Sequence, residues 1–353
     1  MKILCAALAL ISLADVQAAE QHLLYVTMPG TYYGGGKPGI LIFDIDAEHK
    51  FVRRVATPDF GQQTKGFCGS AATRKIYVSS TKKLWCFDLK TEQVVWERAY
   101  EKGCDRMAIT PDGKSIYMPS IDGSDWKVID GATGDVIKSI EVRDGPHNTL
   151  CSLDGAHAYL ASLKYNKLTV VDTRTHEVER EIGPFGSAIR PFTVSSTLCY
   201  VNINGLRGFE VGDLRTGAKL HRVEVPGGKG GGGKHGCPSH GVGLTPDERE
   251  VWVTDSPGKA MQVFDATASP PKYLTEIPLE FEPGWINFSI DGRYAYPSTG
   301  DIIDAKSRKI ISVLKDEHGE RSMSEKLLQV NLRNGEVTAV GNQFAIGRKH
   351  NKT

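Results

Sequence analysis

The sequence carries no surplus charge of either sign: 43 Lys+Arg stand against 42 Asp+Glu in 353 residues. That balance gives no polyelectrolyte case for nucleic-acid binding and excludes a highly charged disordered tail protein. Beyond the amino end, no apolar run approaches the roughly 20 residues that a membrane-crossing helix needs. Helical periodicity is nearly absent. There is no C-x-x-C, which removes thioredoxin-like and zinc-ribbon readings, and no C-x-x-C-H for covalent haem. The 38 glycines and 17 prolines show no period of three, so a fibrous chain is excluded.

Present at the amino end is an address. Lys2 supplies a positive charge, Ile3 to Leu13 is uncharged and apolar, and Val16-Gln17-Ala18-Ala19 places small residues where a signal peptidase cuts. Residues 1–19 are expected to be a signal peptide, residues 20–353 one domain, and the mature chain periplasmic or secreted. Its six cysteines, Cys68, Cys86, Cys104, Cys151, Cys199 and Cys237, would then meet an oxidising space.

Short apolar runs ending in Asp recur along the chain at Asp44, Asp88, Asp130, Asp172, Asp213, Asp265 and Asp304, at intervals of 44, 42, 42, 41, 52 and 39. Several carry Thr or Ser three residues on, so each Asp can accept hydrogen bonds across a tight turn between two strands. In phase with these are the turns Thr110-Pro-Asp-Gly113, Ser152-Leu-Asp-Gly155, Thr245-Pro-Asp-Glu248 and Ser289-Ile-Asp-Gly292. Each is followed, seven residues after its Thr or Ser, by Tyr117, Tyr159, Trp252 or Tyr296. Every repeat reads as four short antiparallel strands, A to D. One such sheet cannot cover both faces, whereas a ring of seven can. The expectation is an all-β, seven-bladed β-propeller. Blade 1 begins at its B strand, so the carboxyl tail (Leu327 to Gly347) is expected to supply what it lacks and close the ring. Residues 315–326 read as a polar excursion able to hold a helical turn.

Tyr25-Val26-Thr27, Tyr77-Val78-Ser79-Ser80, Tyr200-Val201-Asn202 and Trp252-Val253-Thr254-Asp255 resemble the YVTN repeat of bacterial secreted seven-bladed propellers, the YncE-like group. The resemblance spans nearly all of the mature chain. It implies the propeller, and its motif residues are structural. Related propellers include binding proteins, lactonases and lyases, so it does not choose a function.

The segment leading into strand A lies at a propeller's axis. Five residues before the turn Thr or Ser stand Asp105, His147, His240 and Gly284, with Trp285 adjacent. Blade 5 offers Arg190 and blade 2 Cys68. These residues are expected to ring the axis. Trp285, Arg190, Cys68 and Lys234 would hold a ligand, Lys234 by steering an anion from the loop Gly227 to Lys234. That loop nearly matches a phosphate-cradling motif, but His235 stands where Ser or Thr should follow the lysine, and no helix comes next. His235, Cys237 and His240, joined by His147, have the ligand types for copper or zinc, so a divalent transition metal is a candidate cofactor. Cys237 with His240 or His147 is also a candidate nucleophilic pair, and a Cys68–Cys104 disulfide is geometrically conceivable. His49, His157, His176, His221 and His318 are expected to be solvated.

Two functions follow. One is a non-catalytic propeller holding a small polar or anionic ligand, a metal ion or a partner protein loop in its axial funnel. The other is a lyase or lactone hydrolase on a sugar-derived substrate, with His147 or His240 as base, Arg190 stabilising developing charge, and Asp105 in support. No nucleic-acid partner and no membrane span are expected.

Overall fold

A computed structural model describes residues 20–30, 33, 36–61, 63–142, 145–227 and 232–348. The expected signal peptide therefore lies outside the described residues. The chain forms seven antiparallel sheets arranged as the blades of a propeller, six of four strands and one of five. Outermost strands such as Val136–Glu141 are largely exposed, whereas innermost strands such as Pro146–Cys151 are buried throughout. The inner strands touch one another in succession around the axis.

The repeated turns have the chemistry that their spacing implies. Asp88 Oδ1 accepts from the backbone amides of Lys90 and Thr91 at 2.9 and 2.8 Å, and Asp130, Asp172 and Asp213 do the same. In the A–B turn of blade 3, Thr110 donates its hydroxyl to Asp112 (2.6 Å) and accepts from the Ser115 amide (3.1 Å). The tyrosines of the B strands tie neighbouring blades together. Tyr77 donates to the Gly131 carbonyl, Tyr117 bonds His176 Nδ1 (2.6 Å) and Tyr296 bonds His49 Nε2 (2.8 Å). His49 is thus buried and His176 half-buried, against the expectation that both are solvated. A left-handed turn conformation at each swings the ring back under the adjacent blade.

Both termini build blade 1. Leu327–Arg333 pairs with the inner side of Glu20–Met28, and Gly39–Asp44 and Lys50–Val55 follow outward. A two-residue turn at Asn334-Gly335, both left-handed, leads to a fifth strand, Glu336–Val340, on the inner edge. The chain then continues through the ring. Gln343 accepts from the Phe67 amide through Oε1 and from the Trp285 indole through its carbonyl, and the Ala345 carbonyl accepts from Leu244 N and Thr193 Oγ1. Phe344 is buried against Phe192 and Trp285, with ring centroids 6.0 and 5.3 Å away. The tail therefore fills the axis at the turn-bearing end of the inner strands. Residues 315–326 contain no helix. Instead Arg321 pairs with Asp301 and Glu280, which anchors the segment, and Ser324 to Lys326 are buried as the lead-in to the closing strand.

Candidate functional site

At the other end of the inner strands, the lead-in residues converge into a buried polar cluster. Irregularities in the sheet aim two of them. Register shifts between Pro146 and Asn148, and between Ile189 and Phe192, set His147 and Arg190 out of the regular alternation. Asp105 and His147, expected at one phase of the repeat, meet in a 2.6 Å hydrogen bond through His147 Nδ1. Arg106 Nη1 lies 3.0 Å from His147 Nε2. A guanidinium can only donate, so Nε2 is the acceptor and Nδ1 carries the proton to Asp105. Burial leads in pulling the His147 pKa down to about 4, so the ring is a neutral imidazole held at both nitrogens. His240 is also fully buried, with Nδ1 3.3 Å from the Gly284 carbonyl, and burial pulls its pKa well below the usual value.

Three cluster residues went unanticipated in the sequence: Arg106, Glu325 and Lys326, all completely buried. Arg106 Nη2 reaches Glu325 Oε2 at 3.3 Å, and Lys326 Nζ lies 3.5 Å from the same oxygen. The Arg106 guanidinium and Lys326 Nζ both lie over the Trp285 ring, 5.5 and 4.1 Å from its centre. A Cβ at position 284 would come within 2.5 Å of Glu325 Oε1, so glycine there is what admits the carboxylate. By analogy with Asp105-Arg106, the pair Glu325-Lys326 is the lead-in of the seventh inner strand. The Asn-Gly turn after that strand lacks the Thr-Pro-Asp-Gly signature that would have set its phase.

The remaining candidates are placed as follows. Arg190 is half-buried beside the cluster, donating to Asn204 Oδ1 (2.6 Å) and the His235 carbonyl (3.0 Å). His235 is exposed, its ring centroid 5.8 Å from that of His240. Cys237 is buried, with its thiol turned to the Ile203 and Ser239 carbonyls, and burial pushes its pKa up to about 12. A thiol so protonated is no nucleophile. Among the described residues, no group of three or more His, Cys, Asp or Glu is placed to hold a metal ion, so His147, His235, Cys237 and His240 are not gathered into a ligand set. Even His235, Cys237 and His240, neighbours in sequence, do not converge: Cys237 turns to the Ile203 and Ser239 carbonyls and His240 Nδ1 to the Gly284 carbonyl. Cys68 packs between blades 2 and 3 with Tyr77 and Cys86, away from the axis. All six cysteines among the described residues are free and buried, so Cys68 and Cys104 are not joined. The Gly-rich stretch 228–231 lies outside the described residues, as does the Lys234 side chain.

No protein-family model and no curated protein sequence matches the chain. Solved structures do. The β-propeller domain of Cps50 (Swd1) from Myceliophteria thermophila superposes with a TM-score of 0.59 at 10% identity, covering 75% of this chain and 87% of that one. The dihydro-heme d1 dehydrogenase NirN, in complex with DHE, superposes at 0.62 with 14% identity, over 91% of this chain and 75% of its own. Likenesses this remote in sequence establish the β-propeller and nothing finer. No helix among the described residues is long and apolar enough to cross a membrane.

Proposed function

We propose that this chain is an exported bacterial propeller of the YVTN-repeat type, periplasmic or secreted, that holds a small polar or anionic ligand in the axial cluster without transforming it. One observation supports this reading above the others. Lys326 Nζ and Glu325 Oε1 are fully buried and make no hydrogen bond among the described residues, and neither does the side-chain amide of Asn148, next to His147. Leaving such groups unmatched costs about 1–3 kcal/mol each, more for charged ones, and a bound molecule that offers acceptors to Lys326 and the Asn148 amide nitrogen and a hydroxyl donor to Glu325 removes that cost. Burial, reinforced by Arg106, pulls the Lys326 pKa well below its usual value, and a further anion beside it would raise it again. Of the two histidines considered as a general base, His147 has both imidazole nitrogens engaged, which disfavours it in a lyase or lactone-hydrolase role.

The test is a thermal-shift panel of small carboxylates, including citrate, malonate and galacturonate, on the wild type and on Lys326→Met. A ligand present at about one hundred times its Kd stabilises the fold by about 2.7 kcal/mol. That gain should appear with at least one acid and vanish in Lys326→Met. An identical response of the two proteins to every acid would remove the axial cluster from the account.

A further inference from the structure

A second site opens at the opposite end of the ring, where the closing tail emerges. Blades 3, 4, 6 and 7 join their A and B strands by five residues, for example 110–114 and 152–156, whereas blade 5 uses only three, 195–197. The shortened turn leaves a notch in the rim. A cavity of about 670 Å³ occupies it, within the size range of pockets that take small molecules. Its floor is apolar, formed by buried parts of Tyr159, Val194, Leu214 and the tail residue Ile346.

Its charges are lopsided. The two lining carboxylates are already occupied: Glu248 accepts from the amide and hydroxyl of Ser196 (2.9 and 3.0 Å), and Asp154 accepts from Ser152 Oγ and the Ala156 amide (2.6 and 2.9 Å). Arg180, also in the wall, donates to the Leu214 carbonyl and pairs with Glu179. Arg215, from the C–D turn of blade 5, and Arg348, from the tail, form no side-chain hydrogen bond or ion pair among the described residues. Arg348 is half-buried, and burial alone pulls its pKa down. A desolvated guanidinium without a counter-ion beside an apolar floor is matched by an anionic group carried on an apolar body.

We propose that this notch is a binding site for an organic monoanion with an apolar aromatic or aliphatic body, gripped at its charged end by Arg348 and Arg215. The site is separate from the axial cluster and does not depend on it.

The full chain is titrated by fluorescence with 8-anilinonaphthalene-1-sulfonate, and in parallel with its uncharged relative N-phenyl-1-naphthylamine. The sulfonate should bind at a single site and be displaced by decanoate. The pair Arg215→Gln/Arg348→Gln should weaken it about tenfold or more, one decade corresponding to about 1.4 kcal/mol. Leu153→Trp, an exposed lining position on the blade 4 turn, should narrow the notch and weaken both probes, whereas Lys326→Met should leave both unchanged. Equal affinity of the two probes for the wild type would overturn the proposal. So would undiminished sulfonate binding in the double arginine variant, or loss in Lys326→Met without loss in Leu153→Trp.

Discussion

Acidification should loosen this fold over a window set by its buried imidazoles. His147 and His49 are held neutral with pKa values pulled from 6.5 to about 4, and His240 is likewise pulled well below its usual value, burial being the leading cause in each. The unfolded chain takes up protons on these rings as pH drops through about 6.5. The folded chain resists until about pH 4. Between those limits the unfolded state binds more protons, so stability is complete near neutrality and falls as the medium turns acid. For His147, buried between Asp105 and Arg106, the drop is worth about 3–4 kcal/mol at most, since one pKa unit corresponds to about 1.36 kcal/mol. Urea unfolding midpoints measured from about pH 7 down to about pH 4, at constant m, give the curve directly. His147→Gln cannot take up that proton, so its stability, lower at neutrality, should decline more shallowly across the window. A wild-type curve flat over this range, or a variant with the same slope, would refute the neutral, doubly held imidazole.

The Arg106–Glu325 pair gives a sharper packing test. Arg106→Met strands a buried carboxylate and should cost about 3–5 kcal/mol in urea unfolding, whereas Arg106→Met/Glu325→Gln should recover a substantial part of that loss; a double variant no better than the single would contradict the pairing. Phe344→Ala empties the space between Phe192 and Trp285 and should cost about 3–5 kcal/mol, measurable by the same assay, and a near-neutral result would place the tail outside the axis.

The seven repeats could be read from the chain because each blade reuses the same local hydrogen bonds. An Asp accepting two amides, and a Thr bridging its own turn, need the same residues wherever they occur. Phase then carried Asp105 and His147 to the same height on neighbouring inner strands, and they do touch. The phase failed where the turn chemistry changed. Glu325 and Lys326 precede an Asn-Gly turn, so nothing marked them as lead-in residues. Nothing local marked Phe344-Ala345-Ile346 as an axial plug, because the partners of Phe344 and Ala345 come from blades 5, 6 and 7, far off in sequence. The expected metal quartet met a different limit. Closeness along the chain says nothing about side-chain direction, and Cys237 satisfies its thiol on carbonyls behind the loop.

The closing strand also sets an order of events. As the chain is made, the sheet begun by Glu20–Met28 has its inner edge bare until some three hundred further residues have followed, because its partner is Leu327–Arg333. A bare edge invites pairing with other chains. That edge must therefore be shielded until synthesis is finished, and a chain cut short before Leu327 would keep its other blades yet expose the edge that makes it stick to its neighbours.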